Sequence, residues 1–364
     1  MKPHAAPGGT RTRILLALIL SLFVACTAPT PIPTPSPTTG TTQLVMRNWE
    51  GDISQSILDV FEDQTGIRVL YKPYESQEAT IDEIRSGEIY DVVVLENQLI
   101  PALVADGMLA EIDYTNVPNF KNLSANFRDL AYDPRNAHSV PYSWGTTGLV
   151  VRTDLTPEPV TRWADLWNPE YAGKVMAWTL SRYVIGATLK SLGYSLNSED
   201  PEELEAARQK LLELRPNVTL VDWESAVSAP FLASGEIYIA MGQADDVIEG
   251  KKQNPAIEYI LPQEGGILWG DNFTIPANSP NKAAAEKLIN YLLSAEVAAQ
   301  IINDTFYWLP NDAALPLVDP EIRENPAIFP SSGVLANAEI LLPINPEAET
   351  LYSSIWESFL SASQ

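Results

Sequence analysis

Apolar and polar positions along this chain switch between a helical and an extended period, and the switches predict its elements. Leu44–Asn48 is a short apolar run of strand type. Ile57, Leu58 and Phe61 then recur at helical spacing within Ile53–Thr65. Gly66 ends that helix, since glycine accepts the left-handed backbone of a helix C-terminus, and Ile67–Tyr71 reads as the next strand. A helix over Ala79–Ser86, an unbroken apolar run over Tyr90–Leu95 and a helix over Ile100–Asp106 continue the series. The unbroken run is what a strand covered on both faces requires. Strand, helix, strand, helix, strand within about 65 residues predicts βαβ units and a wound α/β sheet.

The second half repeats the pattern. Glu202–Leu214 carries Leu204, Ala207, Leu211 and Leu214 on one helical face, Ile237–Gly242 is a buried strand, and Asn281–Leu293 and Ala295–Ile302 are helices. Ligands of open α/β sheets lie at the carboxyl ends of strands. That rule selects four segments: Trp49–Asp52, Glu96–Gln98, Asp245–Asp246 and Trp269–Asp271. The last belongs to GGILWGDNFTIPAN, residues 265–278. If it is extended, Trp269 and Asp271 point to one side, where an aromatic face beside a carboxylate suits a small organic cation. The same residues read equally well as a buried strand end with a solvated Asp.

The ends of the chain add a location. Lys2, Arg11 and Arg13 precede the apolar run ILLALILSLFVA, which has the length of a secretory signal core and is short for a membrane span. Cys26, the single cysteine, follows directly. Phe-Val-Ala-Cys resembles a bacterial lipobox, with Phe23 where Leu is usual, so residues 1–25 are expected to be a lipoprotein signal and Cys26 the lipid attachment point. Residues 26–41 hold a Pro/Thr-rich tether with little to bury. The remaining body of roughly 320 residues is long enough for two cores. Losing Lys2, Arg11 and Arg13 with no acid takes the formal charge from −24 to −27. So acidic a body argues against nucleic acid and anionic membrane surfaces as partners and is compatible with cationic ligands.

Enzyme chemistry is thin. Of two histidines, His4 leaves with the signal, and His138 lies in a loop, DPRNAHSVPY, where it reads as a surface or hinge residue. There is no phosphate loop, no GxSxG and no metal-spaced His/Cys cluster. Carboxylate pairs abound, as they must in so acidic a chain, and none is singled out as a glycosidase pair.

Seven stretches carry a resemblance: RNWEGDI (47–53), TGIRVLYKPYES (65–76), YDVVV (90–94), VPYSWGTTGL (140–149), RWADLWNPEYAGK (162–174), EGGILWGDNFTIPAN (264–278) and the segment beginning FYWLPN (306–311). In order and content they resemble the spermidine/putrescine-binding proteins of bacterial ABC transporters over nearly the whole mature chain. The resemblance implies a two-lobed periplasmic-binding-protein fold of type II, a venus flytrap with a wound mixed α/β sheet in each lobe. By analogy lobe one is 42–147 plus 272–318 and lobe two 148–271 plus 319–364. Ligand lies in the cleft, and lobe closure signals loading to the permease.

Carried over residue by residue, the resemblance puts Trp49, Trp269, Asp271 and Tyr307 on the family's aromatic box and terminal-amine carboxylate. Asp246 stands where putrescine-type members have a second carboxylate. Glu50 and Asp52 replace a hydroxyl residue and a Tyr; Glu96 and Gln98 replace a Ser and an aromatic; these three acids join the ligand-binding candidates. Leu180 and Tyr183 stand where spermidine-type members have acids, and Gln243 where a cleft Trp is usual. Trp178 is a further cleft candidate, whereas Trp144, Trp163 and Trp167 read as packing residues.

Two acids flanking aromatic walls suit a diamine such as putrescine. The departures keep other ligands open: a larger polyamine, an amino-acid derivative or a quaternary ammonium. A ferric-ion binder and a flytrap-fold enzyme are the more distant rivals, the enzyme disfavoured because the sole cysteine is committed to lipid. The expectation is a non-enzymatic, monomeric binding subunit without cofactor or metal. Its partners are a small polyamine or related cation, ABC permease subunits and, through the lipid, the outer face of a membrane.

Overall fold

The computed structural model describes residues 42–74, 76–222, 228–331 and 333–362. The expected signal, Cys26 and the tether lie outside the described residues. Ten strands are described: β1 (Thr42–Asn48), β2 (Ile67–Pro73), β3 (Val92–Glu96), β4 (Ser139–Arg152), β5 (Val175–Trp178), β6 (Val218–Val221), β7 (Ile239–Gly242), β8 (Ile257–Ile260), β9 (Ile267–Thr274) and β10 (Glu339–Ile340). Their lateral order is β2-β1-β3-β9-β4-β7-β5-β6, with β8 also on β4 and β10 also on β9.

Each end of this order is a parallel βαβ arrangement: β1 pairs with β2 and β3, and β5 with β6 and β7. Helices cover the crossovers, as the periodicity predicts. Gln55–Thr65 buries Ile57, Leu58 and Phe61 and stops at Gly66 (φ 69°), whose N–H donates to the Glu62 carbonyl. Each such buried side chain contributes about 1.5–3 kcal/mol. Pro201–Leu214 starts on the Asp200 cap and buries the expected Leu204, Ala207, Leu211 and Leu214.

The middle of the order is antiparallel and belongs to two long strands. β9 runs against β3 on one side and β4 on the other. β4 pairs with β9 through residues 139–147, then with β7 and β8 through residues 148–152. It therefore leaves one sheet and enters another, and the apolar cores divide at the same place. One core draws on residues from Leu44 to Tyr142 and from Phe273 to Val318, the other on residues from Leu149 to Trp269 and from Leu341 to Phe359. Trp144, Trp163 and Trp167 pack as expected. Trp144 meets the Phe127 ring edge-on at 4.6 Å, Trp163 is wholly buried with its N–H on the Gly265 carbonyl, and Trp167 donates to the Lys210 carbonyl.

Candidate functional site

Several of the candidate residues gather where β3, β9 and β4 run side by side. Glu96 is the last residue of β3 and faces Asp271 of β9 in antiparallel register. The next strand carries a bulge between Pro141 and Ser143, which shifts the pairing so that Ser143 lies opposite Asp271. A proline that donates nothing to the ladder fits at such a bulge. The displaced Tyr142 stacks on Phe273 at 4.3 Å, and the Ser143 hydroxyl sits 3.4 Å from Asp271 Oδ2.

Asp271 is 5% exposed, and its Oδ1 is buried with no hydrogen-bond partner. Burial pushes its carboxyl well above the ordinary range, against hydrogen bonds from the Trp49 indole and Ser143 that favour the ionised form. Glu96 is pushed up as well, first by burial and then by the Asp271 charge, with a smaller push from Glu78. Gln98 Nε2 donates to Glu96, and it and the nearby Tyr183 hydroxyl oppose the shift. Two adjacent acids that resist ionising, with hydrogen-bond donors around them and no Lys or Arg ion-paired to them among the described residues, can accept a positive charge.

Aromatic groups surround the pair. Trp49 follows β1, half-buried, and meets the Tyr74 ring edge-on at 5.2 Å. Its backbone carbonyl accepts from the Tyr71 hydroxyl, while Tyr74 donates to the Val94 carbonyl. Asp52 is 3% exposed; burial raises the Tyr71, Tyr74 and Tyr142 phenols, with the Asp52 charge adding to it, and the Asp52 carbonyl accepts from Tyr142 at 3.3 Å. Tyr307 packs against the same core as Tyr142, whose phenol is raised by burial first and by the Asp52 and Asp271 charges after it.

β9 is extended as expected, so Trp269 lies on the same face as Asp271. Its ring meets Tyr307 edge-on at 5.5 Å, and its indole N–H is buried without a partner. Tyr307 follows Phe306, the left-handed residue (φ 61°) that ends the helix Ala295–Thr305. Trp144, Gln243, Trp269 and Tyr307 help to line a cavity of roughly 10 Å³. That is room for about one water molecule, so a ligand of several heavy atoms enters this arrangement only if its walls part.

Asp246 stands in the first turn of the helix Ala244–Gln253, where Oδ2 accepts the Gln243 N–H at 3.0 Å in a reciprocal capping box. Gln243, which it caps, lines the cavity; the Asp245 side chain lies outside what is described. Glu50 is exposed in the turn after β1 and joins none of these interactions. The structure thus brings Trp49, Glu96 and Asp271 into direct association, adds Asp52 and Tyr307 through Tyr142, and sets Trp269 beside Tyr307. Sequence reasoning passed over Ser143, Tyr142, Tyr74 and the Tyr183 contact. Tyr183 follows β5 in the helix Ser181–Ser191, at a strand's carboxyl end, and that position was the available signal.

The chain has relatives among known proteins. The sequence model of the bacterial extracellular solute-binding protein family matches residues 56–330. The spermidine/putrescine-binding periplasmic protein of Escherichia coli is 36% identical over 299 residues, 81% of this chain and 85% of that one. The putrescine/agmatine-binding protein of Pseudomonas aeruginosa is 31% identical over 335 residues, covering 86% and 91%. Among solved structures, the spermidine/putrescine ABC transporter substrate-binding protein PotD of Streptococcus pneumoniae superposes with a TM-score of 0.78 at 30% identity, covering 88% of this chain and 98% of that one. The two-lobed α/β binding-protein fold expected from the sequence is thereby shown.

Proposed function

Because the chain belongs to the bacterial extracellular solute-binding proteins, we propose that it is the capture subunit of an ABC importer for a linear polyamine, with a putrescine-like diamine favoured. The lobes are 42–147 with 272–318 and 148–271 with 319–364, in keeping with the division of the apolar cores at β4 and β9. Ligand binds between them, and the closed pair of lobes is what the permease subunits read. The working form is a monomer held at the outer face of a membrane by lipid on Cys26.

One observation carries the ligand reading: Glu96 and Asp271, neighbours across β3 and β9, are both shifted toward their neutral forms, with no Lys or Arg ion-paired to either among the described residues. A primary ammonium supplies the missing charge and up to three donors. The rings of Trp49, Trp269 and Tyr307 offer faces and edges to the methylenes and to the charge. Asp246 serves the second ammonium. Asp52 supports the aromatic wall, and Glu50 contributes only to the field at the mouth.

A thermal-shift and calorimetric panel of putrescine, cadaverine, spermidine, spermine, glycine betaine, choline and amino acids tests this reading. A ligand that binds only the folded state raises the melting temperature by mass action. The largest shift is expected with diamines, and Asp271→Asn weakens diamine binding by about 1.5–3 kcal/mol, the scale of a hydrogen bond to a charged group. Silence from every polyamine would reject the reading.

A further inference from the structure

We infer that the Glu96–Asp271 pair works as a proton exchanger: without ligand it holds one proton between its two carboxyl groups, and an arriving ammonium group displaces that proton to solvent. The inference rests on the polyamine reading above and adds to it a stoichiometry and a direction with pH. It starts from placement. The two side chains stand on adjacent strands in register, Asp271 is buried, and Asp271 Oδ1 has no partner. Glu96 is half-buried and Asp271 buried, and two carboxylates set side by side across neighbouring strands do not both ionise where burial and their repulsion go without an offset.

Among the described residues, no Lys or Arg is ion-paired to either carboxyl. The helix Gln77–Arg85 contributes Glu78, which adds repulsion. The helix Ser181–Ser191 contributes the neutral Tyr183 hydroxyl, β4 contributes Ser143, and the turns after β1 and β2 contribute Trp49 and Tyr74. Asp52 acts on Tyr71, Tyr74 and Tyr142. The nearby cations Arg47 and Arg182 act on Tyr74 and Tyr183, whose phenols stand between them and the pair.

The exchange balances. One carboxyl O–H gives its proton to bulk water or buffer, and an ammonium N–H takes its place between the oxygens. The pair plus proton carries one negative charge; the ionised pair plus ammonium carries the same. Binding therefore conserves local charge, and a neutral ligand of the same shape cannot drive the release. The consequence is graded by pH: while the ligand-free pair is protonated, affinity weakens about tenfold for each pH unit of acidification, and it levels off once the pair has ionised.

Calorimetry of putrescine binding near neutral pH, in buffers of different ionisation enthalpy, counts the protons. Release of about one proton is expected from the wild-type protein, and much less from Glu96→Gln or Asp271→Asn. A parallel pH titration of the ligand-free protein, followed by carboxyl carbon chemical shifts and assigned with the same variants, is expected to show one carboxyl protonated near neutrality. Binding without proton release, or two carboxyls fully ionised throughout the neutral range, would overturn the exchange. If no polyamine binds, the functional reading fails in the calorimetry, and the carboxyl titration still decides whether the pair holds a proton.

Discussion

Trp269 keeps its place because residue 145 has no side chain. A Cβ at Gly145, directly opposite on β4, would lie 2.2 Å from the Trp269 ring, so the indole must move to admit it. The backbone at 145 is not left-handed, so alanine meets only this obstacle. Gly145→Ala is expected to destabilise the protein by about 1–3 kcal/mol, the cost of overpacking a filled site. It should also weaken diamine binding, because Trp269 shares its strand face with Asp271. Calorimetric affinity beside the denaturation midpoint checks both; unchanged affinity would remove the Trp269 face from the binding surface. Trp269 and Asp271 were legible in the sequence because one strand carries both. Ser143 and Tyr183 were not: each meets the acid pair from another segment, and a sequence pattern reports neighbours only along one element. Asp246 was legible as an acid at a strand end, but its capping bond to Gln243 was not read.

At the scale of elements that second duty makes Asp246 testable. Its Oδ2 accepts the Gln243 N–H from the third position of Ala244–Gln253, where asparagine keeps an oxygen acceptor and loses a charge that favours the helix N-terminus. Asp246→Asn should cost about 0.3–1 kcal/mol of stability, and Asp246→Ala, which also loses the hydrogen bond, about 0.5–1.5 kcal/mol more. If Asp246 also holds the second ammonium, the asparagine variant loses far more diamine affinity than stability. If affinity holds, the residue takes no part in binding. The strands and helices of the first hundred residues, β7 and the helices Pro201–Leu214, Lys282–Leu292 and Ala295–Thr305 followed from period and punctuation. β5, β6, β8 and the helices Ser181–Ser191, Ala244–Gln253 and Pro346–Ser361 were not read. Nor was β4, since Pro141, Gly145 and Gly148 interrupt its apolar pattern and its two parts face different cores. What defines it is pairing, first with β9 and then with β7 and β8, and pairing is a property of the assembled sheet.

For the whole molecule, the acid pair places a cost on the folded state that only ligand relieves. Burial holds Glu96 and Asp271 above the values they have in an unfolded chain. Between the ordinary carboxylate range, near about pH 4, and neutrality, the folded protein therefore binds more protons at this pair than the unfolded one does. The pair's contribution to stability is complete at the acid end and declines as pH rises through the raised values. Many other acids titrate over the same interval, so the informative quantity is the difference from Glu96→Gln, which removes one charge and keeps a side chain of the same size. The variant is expected to match the wild type near pH 4 and to melt progressively higher than it toward pH 8, when both are ligand-free. Saturating putrescine should reverse the order at pH 8, since the ammonium group stabilises the ionised pair and the variant offers it only one carboxylate. Parallel melting curves across the interval would mean that water already reaches the pair and solvates both charges. The Tyr183 hydroxyl, which meets Glu96 from the second core, would then be joining the halves without any tie to protonation.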